Sequence, residues 1–269
     1  MPYVRQASWF LLPLGLAVVF LGAYAVSGED RAATIANGIL LMKLFALVGF
    51  TMATTRFSWG DRMHTVWILF VLNMVLLLSK DLLFGYSQQG LGLHLSREWQ
   101  KAMYAIMVSI ANIASTAATV LLARTWREAG LEISPSRSRQ IAKLAVVPFA
   151  ALLFVVGLRA NLQRLPPDDM WKTTLLVLVP FGDLLCFSLI GPLAVTAFSL
   201  RGGALATPWA MYALGAGLWL VWDMANAFAH LSGVIVEVNR VLALGYTGGA
   251  GIAQWWVLRH VKSTAPVSG

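Results

Sequence analysis

Residues 65–86 read TVWILFVLNMVLLLSKDLLFGY, and this stretch decides the fold. Its first fifteen positions carry no charge; Lys80 and Asp81 then follow side by side, and Leu82, Leu83 and Phe84 resume the apolar run. About 20 mostly apolar residues suffice to cross a bilayer as a helix rising about 1.5 Å per residue. An ionisable side chain at such depth costs about 2.5–3.5 kcal/mol at a helix centre on insertion scales, so each one is a functional hypothesis by default.

Seven further stretches share this character, at roughly 8–27, 34–54, 102–123, 141–160, 172–198, 208–231 and 236–258. The sequence therefore predicts an all-α integral membrane protein with eight transmembrane helices. Composition agrees: 58% of the 269 residues are hydrophobic and 12% charged, against about 25% charged in a soluble domain. Mean hydropathy is +0.71. Lipid has to be the solvent for much of such a chain. Arg5, the apolar run from Trp9 to Leu21 and the small residues around Tyr24 mimic a cleavable secretory signal. The run continues through Val26, and we read it as a retained first helix. Gly245, Gly248, Gly249 and Gly251 in the last stretch mark close helix packing, since small residues let membrane helices approach.

The net charge of +8 does not point to nucleic acid, because the basic residues lie in short tracts between apolar runs. They act as topology signals. With the N-terminus inside, the inner segments hold Arg5, Arg56, Arg62, Arg124, Arg127, Arg137, Arg139, Lys143, Arg201, Arg259 and Lys262. The outer ones hold the shorter set of Arg31, Arg97, Lys101, Arg159, Arg164, Lys172 and Arg240. The excess predicts both termini in the cytoplasm and a multi-pass protein of the plasma (inner) membrane.

Shifting the sequence by 142 positions lays Phe45, Leu47 and Gly49 on Phe187, Leu189 and Gly191, Trp67 on Trp209, and Asp81 on Asp223. After a three-residue slip, Glu98 and Lys101 fall on Glu237 and Arg240. Leucine matches are cheap in apolar helices, whereas Trp on Trp and Asp on Asp are not. We read two parallel four-helix repeats, residues 1–135 and 136–269, as found in some transporter folds.

The candidate pathway or binding residues are Lys43, Asp81, Asp183, Asp223 and Asn226, with Glu98, Lys101, Glu237 and Arg240 as ion-pair partners. Repeat symmetry predicts Asp81 near Lys101 and Asp223 near Arg240, with Lys43 and Asp183 as a central buried pair. Lys80 is expected to snorkel to the outer interface. Asn73, Asn112, Ser109 and Ser115 read as interhelical hydrogen-bonding residues. Trp219 and Trp222 lie well inside the seventh span, away from the interfaces where tryptophan is enriched.

Cofactor motifs are missing. The histidines His64, His94, His230 and His260 fall at or beyond span ends, so paired haem ligation is not expected. There is no zinc-binding His-Glu-x-x-His helix, no phosphate-binding loop, no nucleophile elbow and no lysine between Val236 and Leu258 to hold retinal. No catalytic or metal-ligating set is assigned. Cys186 is the sole cysteine, so an intramolecular disulfide is excluded. The leading functional expectation is a small transporter or channel for an ion, a proton or a small polar solute between the repeats. The alternatives are a sensory or scaffold subunit meeting a protein partner through the Arg124–Arg139 loop, and a membrane enzyme acting on a lipid or quinone. Homo-oligomerisation is compatible with either.

Overall fold

The computed structural model describes residues 2–85, 97–128, 137–163, 170–199, 206–227 and 233–264. Among them the chain forms helices joined by short turns, with no strand. The long helices are α1 (Pro2–Val26), α2 (Arg31–Thr54), α3 (Arg62–Lys80), α4 (Arg97–Glu128), α5 (Arg137–Leu162), α6 (Met170–Ser199), α7 (Ala206–Ala227) and α8 (Val234–Thr264). Four are long and apolar enough to cross a membrane: Ser8–Val26, Gly28–Thr54, Arg62–Phe84 and Glu98–Glu128. Leu144–Ala160 and Val177–Leu193 form shorter apolar segments.

Local signals fix several ends. The Asp61 carboxylate accepts a hydrogen bond from the Met63 N–H at 2.8 Å and caps α3. At the far end of α3 the backbone widens into a π turn over Asp81–Gly85. Such turns change the phase of the side chains that follow and recur at functional sites.

Six helices close a ring. Neighbouring pairs around it are α2 with α3, α3 with α4, α4 with α6, α6 with α7, α7 with α8, and α8 with α2. The remaining two stand outside: α1 leans mainly on α8, and α5 leans on α6 and α7. The outer faces are apolar, with Val18, Val19, Ile113, Leu144 and Leu152 all well exposed. An exposed apolar surface of this extent needs a covering.

The α2–α8 seam depends on glycine. A Cβ placed on Gly49 would lie 2.2 Å from the Gly248 carbonyl oxygen, and one on Gly251 would lie 2.4 Å from the Gly49 oxygen. Backbone meets backbone there, which only glycine permits. α8 stays unbroken through this seam.

One half of the ring is filled with aromatic rings. Trp67, Phe50 and Phe70 are almost wholly buried, and Phe70 meets Tyr212 with ring centroids 4.8 Å apart. Trp67 stacks on Trp209 at 6.1 Å with an interplanar angle of 20°, and Trp126 meets Trp209 edge-on at 6.0 Å. The other half encloses a cavity.

Candidate functional site

The cavity has a volume of about 700 Å³, within the range of small-molecule sites, and all six ring helices line it. Its wall follows helical faces. On α3 the lining residues are Phe70, Asn73, Met74, Leu77, Lys80 and Asp81; on α6 they include Leu175, Val179, Asp183 and Cys186. Spacings of three, four and seven keep such residues on one side of a helix. The cavity runs from Ala32 in the first turn of α2 down to Phe50, Phe70 and Tyr212. Those three rings form its floor and the upper surface of the aromatic fill.

Lys43, Asp81, Asp183 and Asp223 all face this one space. Lys80 and Arg240 join them. The ionic contacts differ from the sequence-based expectation. Lys43 does not pair with Asp183; its ammonium donates to Asp81 on the neighbouring α3. Asp81 also takes Lys80 at 2.7 Å, so one carboxylate serves two ammonium groups. Lys101, expected beside Asp81, instead contacts Glu98 one turn away at 3.1 Å. The π turn beginning at Asp81 and the adjacency of α2 to α3 account for the change of partner.

Lys80 does not snorkel outward. Its side chain is buried, donates to the Tyr104 hydroxyl at 3.2 Å and lies 4.6 Å from the centre of that ring. Lys43 is 1% exposed, the most enclosed charge in the molecule's described part. A buried ammonium is tolerable only with a partner and further donors or acceptors around it.

Across the cavity stands a second cluster. The carboxyl groups of Asp183 and Asp223 reach each other, and Arg240 acts electrostatically on Asp223. Arg240 also lies 3.6 Å from Glu237 on its own helix, and its guanidinium sits over the Trp222 ring at 4.8 Å. Trp219 meets Trp222 edge to face at 5.5 Å. Thus Arg240 belongs near Asp223 as expected, but through space and a shared tryptophan. The side chain of Asn226 lies outside the described ones.

Hydrogen-bonding side chains tie the wall together. Asn73 donates to the Ala111 carbonyl at 2.7 Å and joins α3 to α4; Asn112 donates to the Val179 carbonyl at 3.3 Å and joins α4 to α6. Deeper down, the Thr119 hydroxyl lies 3.2 Å from the Tyr212 hydroxyl and donates to the Cys186 sulfur at 3.5 Å. The sequence reading assigned Tyr104, Cys186 and Tyr212 no place in a site. Their spacing from Asn112, Asp183 and Trp219 along each helix is the signal that would have placed them on the same faces.

Among the described residues no three His, Cys, Asp or Glu side chains converge as metal donors. No family model matches the chain, and comparison with curated proteins and with solved structures gives no match. The functional reading therefore stands on geometry.

Proposed function

We propose that the chain is an eight-span membrane transporter, N-in and C-in, whose two four-helix repeats hold a small polar or amphipathic solute, or an ion, in the ring's central cavity. The observation that carries this is the convergence of six charged side chains from α2, α3, α6, α7 and α8 on one ligand-sized space. Charges used only as struts would bridge pairs of helices in a dry interior. A mostly apolar wall with a few placed polar groups is what a binding site for a small molecule offers.

The contact pattern supports the repeat. Pairs α2–α3, α3–α4 and α2–α8 have as counterparts α6–α7, α7–α8 and α6–α4, all of which pack in the ring. Trp67 stacks on Trp209, its own counterpart. α1 and α5 depart from the symmetry, since α1 leans on α8 while α5 leans on α6 and α7. The cavity lies toward the ends that topology assigns to the outer face, and the aromatic fill closes the side toward Arg56, Arg62 and Arg124. This is the outward-facing arrangement of an alternating-access cycle.

Cys186, the only cysteine, lines the cavity and reports on it. In oriented proteoliposomes, a membrane-impermeant methanethiosulfonate added to one side at a time should modify Cys186 from either face. Modification from the outer face alone would make the cavity a receptor or enzyme pocket without passage. Modification from neither face, at the buried Cys186 or at an Ala36→Cys variant on the exposed cavity wall, would make the charges interior struts.

A further inference from the structure

We propose that the Asp183–Asp223 pair recognises the ammonium group of a small amphipathic amine whose apolar body lies against Ile39, Leu175 and Val179. The inference rests on the cavity being a ligand site and specifies what the ligand carries. Three of the six charges are held in one cluster, because Lys43 and Lys80 both bind Asp81. Arg240 is engaged by Glu237 and by the face of Trp222. Arg240 acts on Asp223 from a distance, but neither of the two remaining carboxyls forms an ion pair with a basic side chain among the described residues.

Asp183 lines the cavity and reaches Asp223, and it forms no ion pair with a basic side chain among the described residues. Asp223 is 8% exposed, faces the cavity, and its Oδ2 has no hydrogen-bond partner among those residues. A buried acceptor without a donor is costly, and a ligand that supplies N–H groups removes that cost. Trp219 stands in the same wall, and aromatic faces attract a cation within about 6 Å of the ring centre. A divalent metal would want a third acidic or imidazole donor, which the described residues do not bring there. An organic cation with an apolar body fits both the acid pair and the predominantly apolar wall.

The chemistry balances simply. A hydrogen bond between two carboxyl groups needs a proton on one of them. An arriving ammonium donates one N–H to each carboxylate, and the shared proton leaves to water. The other titratable groups on the cavity wall are Lys43 of α2, Lys80 and Asp81 of α3, Tyr104 of α4, Cys186 of α6, Tyr212 of α7 and Arg240 of α8.

Protection of Cys186, three residues after Asp183, tests the proposal. The full-length protein in nanodiscs is alkylated with uncharged N-ethylmaleimide, alone or with phenethylamine or its anionic isostere 3-phenylpropionate. Phenethylamine should protect saturably and act at concentrations roughly ten- to hundredfold below those of 3-phenylpropionate, as expected for one charged hydrogen-bonded contact. Asp183→Asn and Asp223→Asn should abolish that preference, while Asp183→Glu should keep it. If Asp223→Asn does not fold, Asp183→Asn decides alone. Equal or better protection by the anion, or a preference that survives Asp183→Asn, overturns the amine assignment and leaves the cavity reading standing. If the 5%-exposed Cys186 does not react, Ala36→Cys on the exposed cavity wall replaces it as reporter, and no alkylation at that position either overturns both.

Discussion

Asp81→Asn isolates the most demanding electrostatic feature of the fold. The substitution keeps size and shape but removes the one carboxylate that Lys43 and Lys80 share. Lys43 is 1% exposed, and its other charged neighbours are Lys80 and Arg240, both of its own sign. Removing one partner of a buried pair typically costs about 3–5 kcal/mol, because the remaining charge is left uncompensated. Lys80 keeps the Tyr104 hydroxyl and ring, so its share of the loss is smaller. The reciprocal change, Lys43→Met, leaves Asp81 bound to Lys80 and should cost well under half as much. Adding Lys43→Met to Asp81→Asn should recover most of the loss. Unfolding in mixed micelles with increasing SDS, followed by tryptophan fluorescence, measures all three variants. Equal cost for Asp81→Asn and Lys43→Met, or no recovery in the double variant, would refute the claim that Asp81 is the hub of this cluster.

Two further outcomes test the seam and the surface. Gly49→Leu would drive a side chain into the Gly248 backbone, where even a Cβ would lie 2.2 Å from the carbonyl oxygen; overpacking of this kind costs about 1–3 kcal/mol or more, and the same unfolding assay should register it. At the loop end of the ring, hydrogen bonds from Arg124 and then Arg62 hold the exposed Glu128 carboxyl below its ordinary value. Because that value is depressed, the tie between α3 and α4 is present above about pH 4.3, the ordinary glutamate range, and is lost as pH falls through the lowered value. A carbon-detected titration of Glu128 should show the depressed midpoint, and 1 M salt should return it toward normal; an ordinary midpoint at low salt would contradict the contact.

That these charges would gather was legible in the sequence, and direction around each helix was not. Counting residues from span ends predicts Lys43, Asp81, Asp183 and Asp223 inside the apolar stretches, because a helix advances uniformly along its axis, and all four line one cavity. Which neighbour each residue faces depends on helix rotation and on which helices touch. Lys101 follows Asp81 in the chain and carries the right charge, yet Lys43 on α2 takes its place. The π turn at Asp81–Gly85 adds a phase change that no composition signal announces. Lys80 was misread for a related reason. A lysine near a span end ordinarily reaches for water, and only the packed α4, with Tyr104 opposite, turns it inward. Asn73 and Asn112 were easier, since an amide among leucines needs a backbone carbonyl and has few within reach.

The ring closes where α2 meets α8, joining a helix from the first quarter of the chain to the last one among the described residues. During synthesis, α2, α3, α4, α6 and α7 can associate in the order they emerge, but the glycine flank of α2 has no cover until α8 arrives. Until then Arg240 is missing beside Asp223 and one wall of the cavity is open. A chain cut before Val234 therefore leaves charged side chains facing an unsealed gap. The 31-residue α8 is thus the element on which closure of the ring depends, since it packs on both α2 and α7.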